Sequence, residues 1–391
     1  MTNGVGSMLK FSVVTPSYNQ AAFIAQTIES VLSQAGEFEI EYWAMDGGST
    51  DGSVEIIRRY ADRLAAGDWP VRCAGISMQW VSQRDKGQSD AINQGVRRST
   101  GDILSYINSD DLYCPGAFER VAREFAARPD ADFIYGDGDV IDAEGNLQWE
   151  WLSRPYDHKV MTSYHFLWND FTNYIMQQAT FWRRRVQARI GYFDESFHYA
   201  MDVEYWIRAG QARLRLCHVP LKLAKFRLIP GTKSLSNATV FWGDYLEIFR
   251  RYRGNHSLAL FFAYYYYNLA RQYDLGIEQA PTREAAVFAR WESLPSGERG
   301  VIERQAEQGW ALACLLLANE AHQQQSADKV AVIFRKGLTG RPLLALHPFA
   351  MLYCLKRALG PQIAAGLDRW GLFLIRQYRQ RRYQYRYHPK K

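Results

Sequence analysis

The chain has few cysteines, and they show no arrangement that cross-links or holds a metal. Its 391 residues contain five, Cys73, Cys114, Cys217, Cys314 and Cys354, an odd number, widely scattered and without paired spacing. That pattern argues against a disulfide framework and a zinc site, and points to reduced thiols in a cytoplasm. Met1 to Lys10 lacks a basic flank followed by an apolar core, so no secretory signal is expected, and Met8 is an alternative start. A spanning run is also missing. Leu343 to Leu355 is strongly apolar but is interrupted by His347 and Pro348 and stopped by Lys356, short of the ~20 residues that cross a bilayer. Acids are nearly absent from one end. Residues 331–391 hold 13 Lys and Arg against the single acid Asp368, a balance of +12, whereas the rest holds 34 bases and 40 acids, a balance of −6. The excess is a property of the tail.

What is present is an alternation of strands and helices, in a chain long enough for about two domains. Phe11 to Thr15 reads as a strand stopped by Pro16-Ser-Tyr-Asn19, and Ala21 to Gln34 has helical spacing. Glu39 to Met45 forms a second strand ending in Asp46-Gly-Gly-Ser-Thr-Asp-Gly52, before the helix Ser53 to Ala65. Trp80 to Gln83 is a short third strand, and the helix after Arg84-Asp-Lys-Gly-Gln-Ser-Asp90 has Ser89 as a cap. Ile103 to Ile107 is a buried strand, Ala117 to Ala127 a helix and Asp132 to Gly136 a strand. This alternation means an α/β layered sheet. Beyond it, Asp137 to Asp142 resembles an antiparallel edge element, Gln177 to Trp182 a strand, Asp202 to Arg208 the first turns of a helix, and Leu216 to Phe226 a last strand.

The expected division is therefore 8–240 for the sheet domain, 241–342 for a helical domain and 343–391 for apolar helices with a basic aromatic tail. In the second, Tyr264 to Tyr267 reads as a packed helix face, and Trp310 to Ala321 with Ala327 to Leu338 as a possible TPR-like hairpin. In the third, Ile363 to Ile375 repeats the apolar character of Leu343 to Leu355, and Arg376 to Lys391 interleaves Tyr with Arg. The tail fits an anionic inner membrane surface, giving a cytoplasmic protein peripheral on that face, with no nucleic acid expected. A buried helical pair or a dimer interface is the simpler alternative.

Carboxylates sit where strands end. Asn108-Ser-Asp-Asp111 places them where a parallel strand empties into a crevice, and hard oxygen ligands there suit a divalent cation carrying a diphosphate. Asp110 and Asp111 as caps of the helix after Pro115 are the alternative. Asp46 ends another strand, where it is a ligand contact or an Asx-turn residue. Asp202 opens a helix, where a carboxylate can serve as an N-terminal cap.

Six ordered motifs resemble the inverting nucleotide-sugar glycosyltransferases of glycosyltransferase family 2, with the GT-A fold. They are Val-Val-Thr-Pro-Ser-Tyr-Asn19, Asp46-Gly-Gly-Ser-Thr-Asp51, Asp85-Lys-Gly-Gln-Ser-Asp-Ala-Ile-Asn93, Asn108-Ser-Asp-Asp111, Gln178-Ala-Thr-Phe-Trp-Arg-Arg184, and Phe193-Asp-Glu with Met201-Asp-Val-Glu-Tyr-Trp206. The resemblance, from Phe11 to Ser236, implies a GT-A domain followed by helices. It implies that Thr15, Pro16 and Tyr18 shape the nucleotide pocket, that Asp46 accepts a hydrogen bond from the base, and that Arg84 or Lys86 meets the diphosphate. Asp90 and Asn93 fall on the nucleotide side, Ser109 and Asp110 at the diphosphate.

The family's metal motif, an acid two residues before an acid, reads Asn108-Ser109-Asp110 here, and Ile229 stands where many members have His. A divalent metal, Mg or Mn, would thus rest on Asp110, phosphate oxygens and water. Asp202 matches the catalytic base, with Glu204 as fallback. Gln178, Thr180 and Trp182 share one strand face on the acceptor side, where the Trp182 ring covers a sugar or packs in the core, and Arg183 to Arg185 form a solvated run or meet an anionic acceptor. The implied partners are a nucleotide-sugar donor, a UDP-sugar first, and a glycan or lipid-linked glycan of a bacterial surface polysaccharide such as O-antigen, capsule or exopolysaccharide. A nucleotidyltransferase is one alternative, but it needs a glycine-rich basic loop where Pro16-Ser-Tyr-Asn19 stands. A catalytically degenerate GT-A scaffold that binds partners is the other.

Overall fold

The computed structural model describes residues 8–163, 174–229, 238–272, 289–321, 327–339 and 342–346, with scattered positions from 348 to 358. Ile363 to Ile375 and Arg376 to Lys391 lie outside the described residues. The chain divides between Gly254 and Asn255 into two compact units, rather than at residue 240.

In the first unit, β1 (Lys10–Ser17) is buried over its last seven residues. It pairs in parallel with β2 (Ala35–Asp46) and β4 (Ile103–Tyr106), and β2 pairs in parallel with the edge strand β3 (Arg72–Ser82). Also present are β5 (Leu112–Tyr113), β6 (Phe133–Ile141), β7 (Leu147–Trp151), β8 (Thr180–Arg183) and β9 (Leu216–Arg227). The order is β3-β2-β1-β4-β8-β6-β9-β5, with β7 on β6. Strands β5, β7 and β8 run against the other six, so this is a mixed α/β fold with a mostly parallel central sheet, as the GT-A expectation required. Helices α1 (Ile24–Leu32), α2 (Ser53–Ala65), α3 (Gln88–Arg98) and α4 (Ala117–Ala127) are the crossovers. On the α1 and α4 side Phe11, Phe38, Phe118 and Phe181 close an aromatic core.

Three segments depart from the expected strands, each for a local reason. β3 starts at Arg72, because an edge strand half-buried along most of its length shows little apolar alternation. Residues 137–141 belong to β6, an interior strand. A side chain at Gly136 would meet the Leu221 carbonyl, and one at Gly138 the Ala224 carbonyl, so the glycines admit close approach of β9. Gln177–Ala179 is a 3-10 turn, so Gln178 does not share a strand face with Thr180 and Trp182. Trp182 is fully buried between Phe133 and Tyr205 and cannot cover a sugar.

A buried acid fastens the start of the sheet. Glu41 accepts from Ser12 Oγ at 2.5 Å and from Thr100 N and Oγ1 at 2.7 and 2.9 Å, with Lys10 Nζ at 3.8 Å. Burial acts to raise its pKa, but the donors outweigh burial and hold it below the ordinary 4.5. A carboxyl lowered on folding contributes stability above that unfolded value, lost as pH falls through the folded one. Glu41→Gln should cost about 1–3 kcal/mol at neutral pH. It should also flatten the stability loss below pH 4.5, as read by urea unfolding at both pH values.

Among the described residues four more helices belong to this unit, α5 (His158–Met161), α6 (Arg185–Ile190), α7 (Met201–Gln211) and α8 (Ala238–Tyr252). The boundary falls after α8 because α8 is bonded to α7: Asp244 accepts from Tyr199 N and Ala200 N, and Tyr252 donates to Glu204. The second unit packs α9 (Leu258–Gln272), α10 (Ser296–Ala321) and α11 (Ala327–Leu338) around Ala259, Ala263, Leu312 and Leu315. Tyr264, Tyr265 and Tyr266 are buried there. Among the described residues no helix is long and apolar enough to cross a membrane.

Candidate active site

Register aligns the strand ends. Ser17 lies beside Asp46, and Asp46 beside Ser82, so three loops leave the sheet at one level. Asp46 is nearly buried and is itself a turn-former: it accepts from Gly48 N, Ser49 N, Ser49 Oγ and Ser82 Oγ at 2.5–3.0 Å. Its carbonyl takes the Gln83 N–H, and the Asp85 carboxylate lies against Gly47, where any side chain would collide. The 46–49 and 82–87 loops are thus one block, with Arg84 and Lys86 exposed on it.

The loop after β1 is pinned to the same block. Asn19 N donates to Ser49 Oγ, Asn19 Oδ1 accepts from Thr50 N, and Gln20 N donates to Ser53 Oγ. Thr15 and Pro16 are buried beneath it, whereas Tyr18 is 63% exposed. A rigidly held, solvent-facing ring suits stacking on a planar base.

Two residues expected on the nucleotide side have other work. Asn93 is buried, its oxygen accepting from Phe193 N and its nitrogen donating to Phe193 O and Glu195, so it docks the 193–195 loop on α3 and does not face a ligand. Asp90 accepts the Lys86 N–H and Gln94 Nε2, tying the 85–87 loop to the first turn of α3, whose N-cap Gly87 has no side-chain hydrogen bond. Ser89 is inside α3, its hydroxyl on the Phe197 carbonyl, and is not the cap. These contacts border a small open cleft between residues 86–90 and Glu195, Phe197 and His198.

After β4 the acidic loop is built on Asp111. Fully buried, Asp111 accepts from Arg227 N at 2.8 Å, Gln178 Nε2 at 2.8 Å and Asn108 Nδ2 at 3.1 Å. Burial, then the neighbouring Asp110, push its pKa well above the carboxylate range. Neither acid caps α4, whose N-cap is Gly116 with no side-chain hydrogen bond. Ser109, just before them, is buried. Asp110 is half-buried, its pKa raised by that burial, and among the described residues no other residue hydrogen-bonds its carboxylate.

The Arg227 guanidinium, fully buried, donates to the Asp110, Asp142 and Ala143 carbonyls and to Gln26 Oε1, and lies 4.9 Å from the Phe23 ring centre. Its charge lies within reach of the Asp110 carboxylate and partly offsets the rise in its pKa. An arginine closing an apolar strand was the signal for it, and sequence reasoning passed over it.

Among the described residues no three His, Cys, Asp or Glu side chains cluster as a metal cage. Asn108 Oδ1 is taken by Gln88 at 2.6 Å, and Ile229 offers hydrocarbon only. The open carboxylate of Asp110 fits a cation that keeps phosphate oxygens and water as its other ligands.

Asp202 lies near the residue that ends the same strand. Tyr106, the last residue of β4, is buried, and its pKa is raised by burial first, then by the charges of Asp202 and Asp111 together. Both carboxylates therefore lie within electrostatic reach of one hydroxyl. Asp202 is half-exposed in the first turn of α7, with Val203 N donating to it, and the N–H groups of Tyr199 and Ala200 just before the helix go to Asp244. Glu204 is not a spare base. Buried at 1% exposure, it holds Arg208 and accepts from Tyr252. Arg183, Arg184 and Arg185 are at the opposite end of the sheet, donating to the Ala131 and Gly101 carbonyls and to Asp132, and are not placed for an acceptor.

The family model Glycosyl transferase family 2 matches residues 12–191. A PGL/p-HBAD biosynthesis glycosyltransferase of Mycobacterium bovis (strain BCG / Pasteur 1173P2) is 30% identical over 200 residues, covering 51% of this chain and 68% of the relative. Chondroitin synthase of Escherichia coli is 30% identical over 161 residues, 40% of this chain and 22% of the synthase. Among solved structures, S. aureus TarS 1-349 in complex with UDP-GlcNAc aligns with a TM-score of 0.48 at 15% identity, over 85% of this chain and 92% of that one. By its ordered motifs, its family match and its mycobacterial relative, the chain belongs to glycosyltransferase family 2.

Proposed function

We propose that the protein transfers a sugar from a nucleoside-diphosphate donor, a UDP-sugar first, to a glycan hydroxyl with inversion. The observation that carries this is that Asp202, half-exposed at a helix start, lies within electrostatic reach of Tyr106 at the end of β4, the strand whose following loop carries the open carboxylate of Asp110. Tyr18 stacks on the base and the 46–49 turn lines its edge. Asp202 accepts the proton of the acceptor hydroxyl as its oxygen bonds to the anomeric carbon. The bond from that carbon to the diphosphate breaks, and its electron pair leaves on the phosphate oxygen. Arg84 and Lys86, exposed on the adjoining loop, stabilise that charge. A divalent cation bound at Asp110 supplies further charge neutralisation to the diphosphate.

The acceptor we favour is a glycan or lipid-linked glycan of a bacterial surface polysaccharide, reached at the cytoplasmic face of a membrane. The relatives' printed names, in PGL/p-HBAD biosynthesis and as a chondroitin synthase, support glycan or glycolipid acceptors as a class. The test is a thermal-shift panel of nucleotide-sugars with Mg²⁺ or Mn²⁺. The matching donor at a hundredfold excess over its Kd should raise the Tm by about 5–10 °C. No shift with any nucleotide-sugar would remove the proposal.

A further inference from the structure

In the second unit the segment after α11 is amphipathic in an unusual sense. Ala350 and Tyr353 are buried, Tyr353 stacking on Phe334 of α11 at 4.1 Å. The residues turned outward are Leu343 at 81% exposure, Leu346 at 73%, Met351 at 57%, Leu355 at 47% and Leu352 at 38%. A helical surface facing water normally carries charge there, yet from Leu343 to Leu355 there is no Asp, Glu, Lys or Arg. Several exposed apolar side chains within about a dozen residues mark an interaction surface.

Charge identifies what covers it. The chain that follows, residues 356–391, holds ten Lys and Arg against the single acid Asp368, with four Tyr among the last fourteen residues. An uncharged apolar face joined to a basic, tyrosine-bearing sequence matches the acyl boundary and headgroups of an anionic bilayer. Among the described residues no helix can span one, so the segment would lie on the surface.

We infer that Leu343, Leu346, Met351, Leu352 and Leu355 form a surface that inserts shallowly into an anionic lipid leaflet. This gives the membrane placement proposed above a definite surface, and it is measured without donor or acceptor. The full chain is sedimented with vesicles of phosphatidylcholine containing 30 mol % phosphatidylglycerol, beside phosphatidylcholine alone, roughly bracketing anionic leaflets. The wild type should partition at least about tenfold more to the anionic vesicles. The triple variant Leu343→Gln, Leu346→Gln, Met351→Gln should lose about tenfold of that partition with its Tm unchanged.

Failure of the wild type to bind, or equal binding by the triple variant, overturns the inference. So does a lowered Tm in the triple variant with binding intact, which would mean that the chain's own terminal residues cover the face. A vesicle-independent dimer that the variant dissolves assigns the face to a second copy and overturns it too. The donor thermal shift on the same preparation reports the transfer proposal separately.

Discussion

Replacing Asp202 by Asn should lower sugar transfer by about 10²–10⁴-fold while donor affinity stays within about twofold. Asn has the shape of Asp but cannot take a proton, so only the step in which the acceptor hydroxyl is deprotonated is lost. The fold should survive, because the backbone leading into α7 is held by Asp244 through Tyr199 N and Ala200 N, and the Asn oxygen can still accept from Val203 N. Glu204 cannot substitute, being committed to Arg208 and Tyr252. Nucleoside diphosphate release under saturating donor and acceptor measures the rate, and the donor-induced Tm shift measures binding. A rate within about threefold of the wild type would discard Asp202 as the base.

Asp110→Asn should act on the other half of the reaction. Its carboxylate has no hydrogen-bonding neighbour among the described residues to disappoint, so stability should change by no more than about 0.5 kcal/mol. The loss should appear instead in the metal titration. Half-saturation should move to higher Mg²⁺ or Mn²⁺, and transfer at a fixed metal concentration should fall by roughly 10²–10³-fold. Nucleoside diphosphate affinity with metal should fall toward the value without it. An unchanged rate and an unchanged metal curve in the variant would remove Asp110 from any metal role, leaving the base assignment untouched.

Local spacing made much of this fold legible. Helix α2 was read to its residue bounds from the glycine-rich turn before Ser53, and the ends of β1, β2 and β4 from polar residues breaking apolar runs. The misses share a cause, which is that long-range pairing decides them. β6 reads as two pieces because its glycines answer to β9, a strand about 85 residues away in sequence. Asn93 and Glu204 sit in motifs that suggest ligand chemistry, yet each is used up by a partner 48–102 residues distant. The site carboxylates Asp110 and Asp202 could be named from motif order. That Tyr106 stands within electrostatic reach of Asp202 and of Asp111, the neighbour of Asp110, is a property of the sheet alone.

Arg227 carries a consequence for how this domain can vary. One guanidinium bridges the backbone of the acidic loop and the tip of the β6–β7 hairpin, so those two peripheral turns are spliced through a single side chain. The hairpin cannot be lengthened or swapped at 142–143 without orphaning a charge that has no water to retreat to. Homologous hairpins would therefore have to be transplanted together with their own arginine, as one inherited cassette.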